Sequence, residues 1–319
     1  MRLGIIGVGD FGTRHAAIAA ALPEIELVAV ADRDERRRRL VAERLGVAAC
    51  LDAQNLLEQH SLDGVVIATP LSQHMRDIST ALSAGVHLLV EKPVVAAGAE
   101  IDQLECLPRA QRMRIVPAHV SRFLPAVAVL RERLANQRVR TVRAIRVVPA
   151  ERLDLHGADH PAMVAMVHDL DLVRAFVGET LGHVSSVQRW TDDTRPHPQI
   201  VMAHLGFDDG VIASVENHWT LPHARQYIDS RIEIVTERET AHLTLPSNAV
   251  RIVTARGDYL PDTELEGSVA GLPVGALATQ LRHFAQCVIT GRDPSVVTLD
   301  DALWSVRVAA EIASQSPQP

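Results

Sequence analysis

Apolar and polar positions follow two different rhythms along this chain. Through the first 118 residues, short β-branched runs at 3–6, 26–31, 64–68, 87–90 and 114–117 read as strands. Stretches with helical spacing near 12–22, 34–45, 53–59, 73–84 and 98–107 separate them. Strands and helices that alternate at this spacing predict βαβ units and a doubly wound parallel sheet. Gly46 and Gly85 stand where helices end, and Pro23 stands just past another helix. After a helix near 123–135 the rhythm changes. Strand-like runs at 140–148, 184–190, 200–207, 211–219, 231–236, 241–245 and 250–255 follow one another, with Asp208-Asp209-Gly210 as a hairpin turn. With helices near 161–177, 276–290 and 299–314, this half predicts an open, mostly antiparallel sheet covered by helices on one face.

Composition narrows the function classes. At 319 residues the chain exceeds one ordinary core. With 47% hydrophobic and 22% charged residues it is a globular composition, and its 3% aromatic content suits a core of Ala, Val, Leu and Ile. A net charge of -7 argues against a nucleic-acid partner, because neutralising phosphates needs a basic face. The one basic run, Arg36 to Arg39, lies among Asp34, Glu35 and Glu43 and reads as a solvated helix face. Cys50, Cys106 and Cys287 show no ligand spacing, which points to a reducing compartment and to no metal site. Asp10 interrupts the apolar N-terminus before a signal segment could form, and no span long enough for a bilayer follows. A cytoplasmic protein without a membrane partner is expected.

The first chemistry lies at Gly7-Val8-Gly9-Asp10-Phe11-Gly12. This G-x-G-x-x-G run follows a strand and opens a helix, and Asp32 ends the next strand 20 residues after Gly12. Such a turn lets a pyrophosphate approach the backbone and the helix N-terminus, while the acid meets the adenosine ribose. A Rossmann dinucleotide-binding domain is therefore expected over 1–118, and a substrate-binding and oligomerisation domain over 119–319. Asp32 favours NAD by repelling a 2′-phosphate. Arg33, with Arg36 or Arg37 one turn on, leaves NADP open.

Further motifs continue the series: Asp32 within Ala-Asp-Arg, Ala68-Thr69-Pro70 followed by His74, and Glu91-Lys92-Pro93. Arg122-Phe123-Leu124-Pro125 and His168-Asp169-Leu170-Asp171-Leu172 come after them. Along nearly its full length the chain resembles the glucose–fructose oxidoreductase / inositol dehydrogenase (Gfo/Idh/MocA) family. The resemblance implies hydride transfer between nicotinamide and a secondary alcohol or ketone of a sugar, polyol or sugar nucleotide. It implies a cofactor site from Gly7, Gly9, Asp10, Phe11, Gly12, Asp32, Arg33, Thr69, Pro70, His74, Glu91 and Lys92. It makes Lys92, at a strand's C-terminal end, the group that bonds the reacting oxygen, and His168 the general acid/base. Asp171 then orients or packs. Arg122 becomes a substrate ligand or a salt bridge between domains, with Arg152 and Arg225 as further substrate candidates. Trp219 reads as sheet packing or interface.

One position departs from the family pattern. Many members carry Asp four residues before the histidine, where this chain has Val164. Asp154, Asp159 or His160 stand nearby as replacements. The loss shifts the expected substrate away from simple inositol-like polyols. It also leaves open a non-catalytic nicotinamide sensor or scaffold, and a reductase of non-sugar, dihydrodiol- or biliverdin-type substrates. An uncovered sheet face predicts a homodimer or homotetramer.

Overall fold

A computed structural model describes residues 1–96, 98–152, 159–178, 180–221, 228–246, 250, 252–254, 257–259 and 262–315. The chain begins with β1 (Arg2–Ile6), α1 (Asp10–Ala21), β2 (Glu26–Ala31), α2 (Glu35–Leu45), β3 (Ala48–Cys50) and α3 (Ala53–Gln59). It continues with β4 (Gly64–Ile67), α4 (Leu71–Ser83), β5 (His87–Val90), α5 (Ala99–Glu105), α6 (Arg109–Arg112) and β6 (Ile115–Pro117). Next come α7 (Pro125–Leu134), β7 (Val139–Pro149), α8 (Val167–Val177), β8 (Leu181–Arg189) and β9 (Ile200–Phe207). β10 (Ile212–Leu221), β11 (Asp229–Thr236) and β12 (Thr240–Leu245) complete the large strands, and α9 (Ala276–Thr290) and α10 (Leu299–Ser314) close the chain. No helix among the described residues is long and apolar enough to cross a membrane.

The backbone divides into two compact units. One holds Met1–Phe123 and Glu266–Leu303, the other Leu124–Leu265 and the residues from Trp304 onward. The sequence boundary near 118 therefore moves by a few residues, and 266–303 belongs with the first unit. The cause is packing: the Phe284 ring of α9 lies so close to Gly64 of β4 that a Cβ there would sit 2.9 Å from it.

The first unit is a parallel sheet in the order β3-β2-β1-β4-β5-β6. Val65, Val66, Ile67, Leu88, Leu89 and Val90 are fully buried, as strands covered on both faces must be. Helix ends follow local chemistry. The Asp34 and Asp52 carboxylates accept the amides of Arg37 and Asn55, and Gly46 ends α2 in the left-handed region. Strand β3 escapes the sequence reading because Ala-Ala-Cys carries no β-branched pattern. The helix expected over 98–107 ends at Glu105, and α6 follows it.

The second unit holds a sheet in the order β12-β11-β7-β10-β9-β8. Four of its five pairings are antiparallel, while β10 runs parallel to β7. The mostly antiparallel expectation is met, with one parallel pair. That pair follows from the crossover through α8, since a parallel neighbour cannot be reached by a hairpin. The helix expected over 161–177 begins as a wide π turn at Ala162–Met166 before α8. A buried ion pair pins α8 to the sheet: Arg146 Nε and Nη2 of β7 donate to Asp169 Oδ2 and Oδ1 at 2.7 and 2.8 Å.

His160 holds the start of the π turn. Its Nδ1 accepts the Ala162 amide at 3.1 Å, so the proton sits on Nε2 and is donated to Gln188 Oε1 at 2.9 Å. Burial pushes the imidazole down to about 4, and the His197 charge adds to this against the Gln188 bond. The unfolded chain, with its value near 6.5, therefore binds this proton first on acidification. Stability from neutral His160 is whole above pH 6.5 and declines toward about 4. His160→Gln should flatten this part of the stability-versus-pH curve, as read by urea unfolding. An unchanged curve would remove the role.

Candidate dinucleotide site and active-site residues

The turn from β1 into α1 is built by exclusion. Gly7 has φ +87, and a Cβ on it would lie 2.6 Å from the Ala68 carbonyl oxygen. A Cβ on Gly12 would run into the Gly7 carbonyl oxygen. Gly9 is different, because a Cβ there would meet nothing within 4 Å. No neighbouring atom fills the space of a side chain there, so packing within the chain does not require glycine at this position. Space left open above a helix N-terminus fits an approaching phosphate group.

Asp32 closes the opposite wall. Its Oδ2 accepts the Val8 amide at 2.9 Å and its Oδ1 the Asp34 amide at 2.8 Å. These bonds hold the glycine turn against β2 and leave the carboxylate with further acceptor capacity. A cavity of about 400 Å³ opens here, lined by Gly7, Gly9, Asp32, Arg33, Thr69 and Pro70. The donor set fits a nicotinamide dinucleotide: backbone N–H groups for the pyrophosphate and a carboxylate for the ribose.

Other expected cofactor residues lie outside that lining. Asp10 and Phe11 are exposed on the first turn of α1 and both engage Arg14, at 3.4 Å and 5.4 Å. Gly12 lies beneath the turn as a packing residue. His74 is 1% exposed, with both ring nitrogens on backbone carbonyls. Glu91 Oε1 meets His15 Nε2 at 2.9 Å, and its Oε2 accepts the Lys92 amide at 3.2 Å. Burial disfavours the Glu91 charge, but the His15 bond and the His15 and Lys92 charges outweigh it and hold the carboxyl below its ordinary range. Lys92 is half-buried just past the end of β5.

Sequence reasoning missed Asp52, Gln73 and Arg76 in the cavity wall. No motif marks them: Asp52 caps α3, while Gln73 and Arg76 both lie near the start of α4. Of the arginine run, Arg37 lines the cavity and Arg36 does not.

In the second unit, His168 is half-buried in the first turn of α8 and Asp171 is fully buried. Asp169, read only as part of a motif, is the residue that anchors the helix to Arg146. Val164 packs with Val148, Ala165 and Trp219 in an apolar cluster edged by Ile228. Trp219 is thus a packing residue, as expected. His160 supports the turn, while Asp159 and Arg152 are exposed. Asp154 and Arg225 lie outside the described residues. Arg122 is 3% exposed in the first unit, with Nη2 4.0 Å from Asp301 Oδ2.

Comparison with known proteins agrees with this geometry. Residues 1–119 match the oxidoreductase family with an NAD-binding Rossmann fold, and residues 133–242 match the GFO/IDH/MocA C-terminal domain. The chain belongs to the Gfo/Idh/MocA oxidoreductase family. It is 27% identical to scyllo-inositol 2-dehydrogenase (NAD(+)) of Bacillus subtilis, over 100% of this chain and 95% of that protein. The solved UDP-N-acetylglucosamine 3-dehydrogenase of Acidithiobacillus ferrooxidans superposes with a TM-score of 0.80 at 26% identity, covering 99% and 97% of the two chains. Myo-inositol 2-dehydrogenase of Lactobacillus plantarum shares the fold, with a TM-score of 0.84 at 19% identity and coverage of 99% and 96%. Family membership makes the chain an NAD-binding oxidoreductase acting on CH–OH groups.

The glycines separate fold from binding. Gly12→Ala should lower the melting temperature by several degrees or block folding, because backbone must move. Gly9→Ala should fold normally yet weaken NAD by about tenfold or more, measured by calorimetry. Equal NAD affinity in Gly9→Ala would remove the phosphate from that space.

Proposed function

We propose that this chain is an NAD-dependent dehydrogenase of a secondary alcohol on a sugar or sugar nucleotide, with Lys92 and His168 as the reacting groups. The observation that carries the reading is a shared sheet edge. Strands β1, β4 and β5 end at Ile6, Ile67 and Val90, so the glycine turn, Thr69–Pro70 and Lys92 all leave the C-terminal edge of one parallel sheet. Open α/β sheets bind ligands at that edge.

Bound NAD supplies the hydride acceptor. Oxidation of a secondary alcohol then requires removal of the hydroxyl proton and support for negative charge on oxygen as the carbonyl forms. The Lys92 ammonium donates a hydrogen bond to that oxygen. His168 takes the proton, and in the reverse direction returns it. Glu91 is held as a carboxylate against His15 and binds the Lys92 amide, which limits movement of the lysine backbone.

Two features favour a sugar nucleotide over an inositol. The Val164 side chain, buried among apolar side chains, has no hydrogen-bonding atom where the family pattern expects a carboxylate. The similarity to UDP-N-acetylglucosamine 3-dehydrogenase supports the same class. The reading also includes self-association through the open face of the second sheet, where Val187 and Ile212 are 68% and 57% exposed. A monomeric mass in light scattering would overturn that part.

Purified protein offered NAD, with inositols, free sugars and nucleotide sugars in turn, should form NADH with a nucleotide sugar. Lys92→Met and His168→Ala should each lose about a hundredfold or more in kcat/KM. Tight NAD binding without turnover, or unchanged turnover in Lys92→Met, would favour a sensor instead.

A further inference from the structure

We propose that His74 is a buried imidazolium that positions Lys92 by clamping the lysine's turn to the wall of the dinucleotide cavity. The proposal rests on the reading of Lys92 above. On α4, the His74 ring is 1% exposed. Its Nδ1 lies 2.9 Å from the Pro93 carbonyl oxygen and its Nε2 lies 2.8 Å from the Thr69 carbonyl oxygen. A carbonyl oxygen only accepts. A neutral imidazole has one N–H and one bare lone pair, so one of these contacts would set lone pair against lone pair at hydrogen-bonding distance. Both nitrogens donate, and the ring carries both protons and a positive charge.

A buried cation needs a counter-charge. The Asp77 carboxylate lies three residues along the same helix and is 0% exposed. Its Oδ2 accepts the Thr69 hydroxyl at 2.9 Å, and its Oδ1 faces Arg76 Nη2 at 2.8 Å. Thr69 is thus held twice, by its carbonyl on His74 and by its hydroxyl on Asp77.

The two carbonyls belong to different functional segments. Thr69 lines the dinucleotide cavity, whereas Pro93 directly follows Lys92 in the turn after β5. One ring therefore sets the distance between the cavity wall and the backbone beside the lysine. A ring with one proton keeps one segment and releases the other. His74 touches neither the cavity nor the reacting atoms, so it is a positioning residue.

Neutron diffraction from deuterated crystals of the full chain with NAD at neutral pH reads the protons directly. Deuterons on both Nδ1 and Nε2 of His74 are expected. A bare ring nitrogen, or a ring turned so that carbon faces either carbonyl, overturns the proposal. In solution, His74→Gln offers donors without the charge or the two-way reach. It should lower kcat about tenfold or more while the Kd for NAD changes by less than about threefold. Unchanged kcat overturns the positioning role even if the ring is doubly protonated. Failure of the function reading has a different signature: Lys92→Met would then retain turnover, while the two His74 deuterons would remain.

Discussion

The turn between β1 and α1 tolerates no side chain at Gly7 or Gly12, because each backbone lies against a carbonyl oxygen. This steric limit arranges much of the first unit. It directs α1 so that its N-terminal amides face the space above Gly9, and it brings Ala68 at the end of β4 against Gly7. Asp32 then joins the turn to β2 through the Val8 amide. Three strand ends are thereby held around one cavity before any ligand arrives. Binding a dinucleotide there costs little reorganisation, which is the advantage of a preformed site.

From that cavity, order passes to the Lys92–Pro93 turn by hydrogen bonds to backbone groups. Thr69 stands in the cavity wall and is held by His74 and Asp77. His74 also holds Pro93, and Glu91 holds the Lys92 amide while meeting His15 of α1. Buried polar groups of this kind are costly when half satisfied, so each bond constrains the next. The second unit uses a parallel device. Arg146 and Asp169 satisfy each other bidentately beneath α8, one residue from His168. His160 shapes the π turn that precedes the helix, and Val164 fills an apolar cluster there.

Much of this was legible in the sequence, for reasons that differ by element. Buried parallel strands announce themselves as apolar runs, and a glycine at positive φ or under a carbonyl has no substitute. Lys92 and His168 are singled out by motifs alone. Less was readable about what neighbouring motif residues do. Asp10, Phe11 and Gly12 belong to the fingerprint yet lie outside the cavity lining, and His74 acts from within the core. Asp169 reads in the sequence only as part of the His168 motif, whereas its partner lies 23 residues earlier on a strand.

The sequence by itself determined the two rhythms of structure, the dinucleotide turn and the family, because these depend on short-range sterics and on the burial pattern of each element. Only the tertiary structure decided that 266–303 returns to the first unit, that β10 pairs parallel with β7, and that His74 faces two carbonyls at once. Each of these depends on groups distant in sequence meeting in space. A side chain's bonding capacity is written in its type, but how many acceptors surround it is set only when the chain has packed.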